Sequence, residues 1–210
     1  MKRVLLTGFE PFAGASLNPS EEIVKALAAK GITDAAGKPL VYLHTAILPV
    51  VFTESSELLK HLIKQHQPDI VICLGQAEGR REISLERVAI NLDDARLADN
   101  AGRTITDQPV VAGADAAEFT TLPVKEIVSA IRSAGIAAGL STTAGTFVCN
   151  HIFYSLQHAL LGQQKRSGFI HVPLLPEQSA EFEGQPTMSL DLQVEAIEIA
   201  ILVAAGAYEA

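Results

Sequence analysis

The chain has 210 residues, of which 48% are hydrophobic, and this length and composition predict one compact domain spanning residues 1–210. The formal net charge is −8, and no run of Lys and Arg alternates with aromatic residues, so no nucleic-acid partner is expected. Two cysteines are too few for a disulfide-stabilised secreted scaffold. The composition therefore favours a reducing compartment, and we expect the protein to be cytoplasmic.

Short apolar runs bounded by Gly or Pro alternate along the chain with segments of helical period. This alternation predicts an α/β layer structure around a mostly parallel sheet, in which ligands bind at the carboxyl ends of the strands. In chain order, the predicted elements are strand 3–8, helix 19–31, strand 40–47, helix 53–67, strand 69–75, strand 86–92, helix 123–135, helix 149–162, strand 168–174 and helix 196–210.

Two other stretches are read from their length and composition. The last helix is interrupted by Glu198 and is too short to span a bilayer of about 30 Å, so no membrane association is expected. The amino-terminal apolar run is too short for a signal peptide. Residues 93–122 lack periodicity and are rich in Asp, Gly, Ala and Thr, which predicts a long excursion over the binding site.

The two cysteines occupy different sequence contexts. Cys73 lies inside an apolar strand and is read as a small buried hydrophobic residue. Cys149 follows the small-residue turn "STTAG" and opens a helix. Unpaired N–H groups at a helix amino terminus lower the pKa of a thiol and can bind a developing oxyanion. Cys149 is therefore the candidate nucleophile, although a core role is equally compatible with its spacing.

A nucleophilic cysteine needs a base, and His171 is the best placed of the six histidines. It lies near the end of a strand that enters a Pro-rich turn, where a parallel sheet places its ligands. His151 is only two residues from Cys149 on one helix, and such residues do not face each other. The remaining histidines are assigned to polar helix faces or to the core: His44, His61, His66 and His158.

The base in turn needs a group that orients it, and Glu86 at the mouth of an apolar strand is the candidate. The alternative is a surface glutamate that pairs with Arg87 or Arg81. Asp99 is held in reserve for the orienting role. Cys149 and His151 make at most one metal-ligand pair, and no zinc-site spacing, phosphate loop or dinucleotide fingerprint is present.

Five motifs in this order resemble the signatures of the pyroglutamyl-peptidase I family over residues 4–178. They read "LLTGFEPFAG…NPS", "QPDIVICLGQAEGR", "ERVAINLDDAR…DN", "TAGTFVCNHIFY" and "GFIHVPLLPEQ". The resemblance implies a cysteine peptidase that removes an amino-terminal pyroglutamyl residue from peptides. It also implies a three-layer α/β/α sandwich around a mostly parallel twisted sheet, no metal or other cofactor, and a homotetramer.

Residue by residue, the family's catalytic triad is carried over onto Cys149, His171 and Glu86. The positions that surround the pyrrolidone ring in similar proteins correspond to Phe9, Phe12, Gln76, Phe147 and Val148. Two rival functions stay open. One is a nucleoside or phosphoryl transferase on a similar sheet, with Cys149 incidental, and the other is a non-enzymatic oligomeric binding module that uses the "GFEPF" loop as a contact surface.

Overall fold

A computed structural model of the protein describes residues 1–208. Within these residues the elements alternate much as the sequence predicts. In chain order they are β1 (Arg3–Phe9), α1 (Pro19–Lys30), β2 (Tyr42–Leu48), α2 (Phe52–His66), β3 (Ile70–Gln76), β4 (Ile83–Glu86), β5 (Val88–Ile90), β6 (Ala117–Phe119), α3 (Val124–Ser133), β7 (Ala138–Ser141), α4 (Val148–Ala159), β8 (Arg166–Val172) and α5 (Leu190–Ala205).

The central sheet has six strands in the order β2-β1-β3-β8-β4-β7. Strands β2, β1, β3 and β8 are mutually parallel, whereas β4 pairs antiparallel with β8 and parallel with β7. The short strands β5 and β6 form a separate antiparallel pair. The predicted mostly parallel α/β sheet is thus confirmed, with two strands running the opposite way.

Helices cover both faces of the sheet and complete three layers. One apolar core joins α1, α3 and α5 to one face, and a second joins α2 and α4 to the other. Helix α1 shows how local sequence sets the boundaries: the Asn18 side chain accepts from the Ser20 N–H, and Gly31 ends the helix with a φ of 68°. None of the helices within residues 1–208 combines the length and apolar character needed to cross a membrane.

Two of the predicted elements differ in the structure. The run 86–92 is not one strand, because Glu86 ends β4 and Val88 begins β5 in the other sheet. An apolar run in the sequence predicts that its residues are buried, but it does not predict which strand they pair with. The last helix begins at Leu190 rather than at 196, and residues 209–210 of the predicted segment lie outside the described residues.

Candidate active site

Cys149 is the second residue of α4, and its half-buried side chain lies against the end of strand β3. The contact is close because residue 75 is glycine: a Cβ on Gly75 would come within 2.9 Å of the Cys149 Sγ and 2.8 Å of the Phe169 ring. Gly75 is the register partner of His171 on β8. The sulfur therefore lies over the strand position next to the predicted base.

The first turn of α4 is held by the end of β5 and the segment that follows it. The Asn150 side chain accepts from the Ile90 N–H and donates to the carbonyls of Ile90 and Leu92. Thr146, just before the helix, exchanges two hydrogen bonds with the backbone of Asp94. Contacts on both sides of Cys149 thus fix the helix start, and polar side-chain bonds of this kind are worth most when buried.

His171 and Glu86 form a buried pair on the neighbouring strands β8 and β4. The His171 Nδ1 lies 2.8 Å from the Glu86 Oε1, and Glu86 is 0% exposed. The same Oε1 is 2.9 Å from an Arg80 guanidinium nitrogen, while a second nitrogen of Arg80 donates to the Thr143 carbonyl. Glu86 is therefore not a surface residue paired with Arg81 or Arg87, since those two arginines are exposed and the partner is Arg80.

The Phe169 ring places His171 on the same side of the sheet as Cys149. Phe169 and His171 are two residues apart on β8, so their side chains share one face, and their ring centroids are 4.9 Å apart. Across residues 1–208 no hydrogen bond joins the Cys149 Sγ to the His171 ring. Catalytic hydrogen bonds are commonly long in a free enzyme and shorten when substrate binds.

The protonation states of the pair follow from burial. Burial raises the pKa of the Cys149 thiol to about 12; the Glu86 charge adds to this effect, and Arg80 and the helix N–H oppose it. The sequence-based expectation of a lowered pKa is wrong for the free form, because burial outweighs the helix terminus. Burial also lowers the pKa of His171, against the opposing effect of Glu86. Both shifts favour the neutral thiol and the neutral imidazole.

A small apolar cavity opens beside Cys149. It encloses about 250 Å³ of space between its lining atoms, part of which is open to solvent. The five residues carried over from the family resemblance line it together with Cys149, and two residues that sequence reasoning missed complete the lining. The lining residues are Phe9, Phe12, Asn18, Val50, Gln76, Phe147, Val148 and Cys149.

The sequence points to some of the residues that were not predicted at the site more clearly than to others. Asn18 precedes Pro19 and Ser20 in a helix-capping pattern, and its Nδ2 donates to the Glu10 carbonyl, which ties the "GFEPF" loop to α1. Arg80 stands inside the quoted "QAEGR" motif, but nothing in its spacing connects it with Glu86. Val50 lies in a loop with no distinguishing pattern. Only the tertiary structure brings these residues to the site.

The excursion 93–122 lies beside the cavity without lining it. The Asn100 side chain donates to the Glu10 carboxylate and to the Pro11 carbonyl, so the excursion contacts the loop that follows β1. None of its residues is among those that line the cavity. The segment therefore contacts the loop that carries Phe12 to the cavity.

Asp99, the reserve carboxylate, lies away from His171. Its side chain accepts from the N–H groups of Ala101 and Arg103 and from the Phe52 N–H at the start of α2. Burial opposes ionisation of Asp99, but these backbone donors outweigh it and lower the pKa of the carboxyl. Asp99 thus stabilises the start of α2 and the turn at residues 99–103, which is a structural role.

The remaining histidines stack on other rings or face solvent, and Cys73 lies within β3. His44 stacks on His66 with ring centroids 4.2 Å apart, and His158 stacks on Tyr154. His61 is exposed on α2. Cys73 is fully buried in β3, where burial raises the pKa of its thiol to about 12. Among residues 1–208 no group of three or more His, Cys, Asp or Glu could hold a metal ion.

His151 has partners of its own. Its Nδ1 lies 2.8 Å from the buried Asp93 Oδ2, and its Nε2 lies 3.3 Å from the Ser56 Oγ. Asp93 begins the excursion, Ser56 belongs to α2 and His151 belongs to α4. These contacts join three segments of the chain and occupy both ring nitrogens.

We expect Asp93→Ala to lower the free energy of unfolding by about 1–3 kcal/mol, because His151 would lose its buried partner. Urea denaturation followed by circular dichroism measures the change. Asp94→Ala is the matched control, since Asp94 is exposed, and it should change stability by no more than about 0.5 kcal/mol. Equal losses in the two variants would contradict the structural role given to the His151–Asp93 pair.

Comparison with known proteins gives a consistent assignment. The family described as pyroglutamyl peptidase matches residues 2–207. A pyrrolidone-carboxylate peptidase 1 of Ralstonia nicotianae is 52% identical over 203 residues, covering 96% of this chain and 92% of the relative.

Two solved structures show the same fold. Pyroglutamyl peptidase I of Bacillus amyloliquefaciens is 45% identical with a TM-score of 0.90, and the match covers 98% of each chain. A mutant pyrrolidone carboxyl peptidase of Pyrococcus furiosus is 43% identical with a TM-score of 0.90, covering 97% of this chain and 98% of that one. The chain therefore belongs to the pyroglutamyl peptidase family and is a hydrolase of the thiol peptidase class.

Proposed function

We propose that this chain hydrolyses the bond after an amino-terminal pyroglutamyl residue of peptides, using Cys149 as nucleophile, His171 as base and Glu86 as the group that orients the base. The observation that carries the proposal is the position of Cys149, which lines a small apolar cavity and lies over the strand position next to the His171–Glu86 pair. A homotetrameric assembly and a cytoplasmic location stay predictions of the sequence.

The cavity has the composition that a lactam ring requires. A pyroglutamyl group is flat and uncharged, with one ring N–H and one ring carbonyl, so its site needs apolar walls and a few amide partners. The aromatic rings of Phe9, Phe12 and Phe147 supply the walls, and Gln76 supplies an amide. Among the described residues no ionic side chain lines the cavity, as suits a ring without the charged ammonium that an ordinary peptide amino terminus carries.

Acylation begins with proton transfer from the Cys149 thiol to the free Nε2 of His171, as the arriving substrate excludes water from the pair. The thiolate then attacks the pyroglutamyl carbonyl carbon and forms a C–S bond. Within α4 the first backbone hydrogen bond runs from the His151 N–H to the Phe147 carbonyl, so the N–H groups of Cys149 and Asn150 have no acceptor in the helix. They can donate to the oxyanion of the tetrahedral intermediate.

The imidazolium formed in this step is stabilised by the Glu86 carboxylate on its Nδ1. Its Nε2 proton passes to the departing amine as the C–N bond breaks, which leaves a thioester on Cys149. A water then gives its proton to His171 and attacks the thioester carbonyl. Collapse of that second intermediate releases pyroglutamate and returns the proton to the sulfur.

Hydrolysis of a pyroglutamyl arylamide tests this proposal directly. We expect release of the arylamine, complete loss of activity after alkylation of the thiol, and competitive inhibition by 2-pyrrolidone. A prolyl arylamide is the matched control, because it has the same ring size but lacks the ring carbonyl. Its kcat/KM should be lower by roughly 100-fold or more. Activity that survives thiol alkylation, or equal cleavage of the two substrates, would contradict the proposal.

A further inference from the structure

Gln178 is a buried amide at the junction of three loops next to the cavity. It is the last residue of a short 3-10 helix, Pro176–Gln178, and is only 1% exposed. Its Oε1 accepts from the Leu175 N–H at 3.0 Å. Its Nε2 donates to the Leu17 carbonyl at 3.4 Å and to the Gln76 Oε1 at 3.0 Å.

The backbone fixes which end of the Gln178 amide faces which way. A backbone N–H can only donate and a carbonyl can only accept, so Leu175 requires the oxygen of Gln178 and Leu17 requires its NH₂ group. The NH₂ group is therefore the end that meets Gln76. Gln76 must in turn present its oxygen to Gln178, which leaves its own Nε2 without a protein partner among the described residues. Gln76 lines the cavity, and this NH₂ group is the donor it can offer to a ligand.

We propose that Gln178 is a specificity-determining residue that acts through Gln76, by holding the Gln76 amide with its NH₂ group available to the ring carbonyl of a pyroglutamyl substrate. The inference rests on the proposed function. The ring carbonyl is what distinguishes pyroglutamate from proline and from plain cyclopentane rings. A reversed Gln76 amide would place its oxygen against that carbonyl, and the two acceptors would repel each other.

The variant Gln178→Glu tests whether Gln178 acts through Gln76. Glutamate has nearly the same shape as glutamine, but an acceptor oxygen replaces the NH₂ donor. A carboxylate still accepts from the Leu175 N–H, but it has no hydrogen to donate to Gln76 or to the Leu17 carbonyl. Gln76 is then expected to rotate, to donate its NH₂ group to the introduced carboxylate and to turn its oxygen toward the cavity. We expect kcat/KM for a pyroglutamyl arylamide to fall by roughly 10- to 100-fold.

A cyclopentanecarbonyl arylamide, which has no ring carbonyl, separates specificity from general damage. Its kcat/KM should stay within about twofold of the wild-type value in Gln178→Glu, because its ring makes no hydrogen bond to Gln76. The inhibition constant of 2-pyrrolidone should rise by the same factor as the pyroglutamyl kcat/KM falls. As the pH is lowered and the new carboxyl gains a proton, it can donate again, and the ratio of the two kcat/KM values should recover.

Two further variants keep the test decisive. Gln178→Met removes both amide ends, so Gln76 is free to adopt either orientation, and we expect a smaller loss of several-fold that affects the pyroglutamyl substrate alone. The exposed neighbour gives the control Glu177→Gln, which should leave both substrates unchanged. If Gln178→Glu fails to fold, the role of Gln178 is tested with Gln178→Met, by its kcat/KM values and by its inhibition constant for 2-pyrrolidone.

Equal losses for the two arylamides, or no change for either, would overturn the role of Gln178 alone. Failure of the wild-type protein to cleave a pyroglutamyl arylamide would instead overturn the proposed function. The two failures are distinguishable because the first requires an active wild-type enzyme.

Discussion

Replacement of Cys149 by serine is expected to lower the hydrolysis of a pyroglutamyl arylamide by at least about 10³-fold while the protein stays folded. A serine hydroxyl loses its proton far less readily than a thiol, and His171 would have to remove that proton inside a buried site. Serine is smaller than cysteine, so it fits against Gly75 without strain. Steady-state kinetics with a circular dichroism spectrum and a melting curve for each variant measure both parts of the expectation.

Cys73→Ser is the matched control for this substitution. Cys73 is buried within β3, so serine there costs about 1–3 kcal/mol of stability through an added buried hydroxyl, but the cleavage rate of the folded protein should be retained. If the activity followed Cys73 rather than Cys149, the assignment of the nucleophile would be wrong.

Glu86→Gln is expected to lower kcat by roughly 10²- to 10⁴-fold with little change in KM. His171 and Arg80 both donate to the Oε1 of Glu86, so the carbonyl of a glutamine would take that place and preserve the ring tautomer. The variant loses the negative charge that stabilises the imidazolium formed during proton transfer. Glu86 does not line the cavity, and substrate binding should therefore be nearly unaffected.

The same variant has an expected pH signature. The proposed mechanism needs neutral His171, and burial lowers the pKa of this imidazole below its usual value, so kcat/KM of the native protein should fall only below about pH 6.5. Glu86 acts in the opposite direction and raises the pKa of His171. Its neutralisation should therefore move the acid limb of the pH profile to still lower pH. A shift to higher pH would contradict the placement of Glu86 beside the base.

Asp99→Asn is the control carboxylate variant. Asp99 accepts backbone hydrogen bonds at the start of α2 and does not contact His171, so its loss should reduce stability and leave kcat close to normal. A larger fall in kcat for Asp99→Asn than for Glu86→Gln would move the orienting role to Asp99.

The elements with strong local signals are the ones that the sequence alone predicts well. Helix α1 has a capping asparagine, a proline in its first turn and a terminal glycine, so its boundaries follow from neighbouring residues. The short strands β6 and β7 have three and four residues and no distinctive alternation, and they were missed. Strand length and partner depend on residues far along the chain, which local patterns do not report.

The candidate active site likewise has residues that the sequence predicts and contacts that it does not. Family-like motifs name six of the eight residues that line the cavity and the two strand residues that form the buried pair, and the structure brings them together. Motif order does not reveal that Arg80 shares an oxygen of Glu86 with His171, or that Gln178 orients Gln76. Those contacts join loops that are distant in sequence, and their geometry exists only once the sheet has formed.

By itself, the sequence determined the layered α/β architecture, the boundaries of the capped helix α1 and the identity of a nucleophile candidate, because periodicity, capping residues and motifs are properties of neighbouring residues. Only the tertiary structure decided the antiparallel placement of β4, the burial that raises the pKa of Cys149, and the partners of His151 and Asp99. Burial and hydrogen-bond pairing depend on which distant segments pack together, and that information arises when the chain folds.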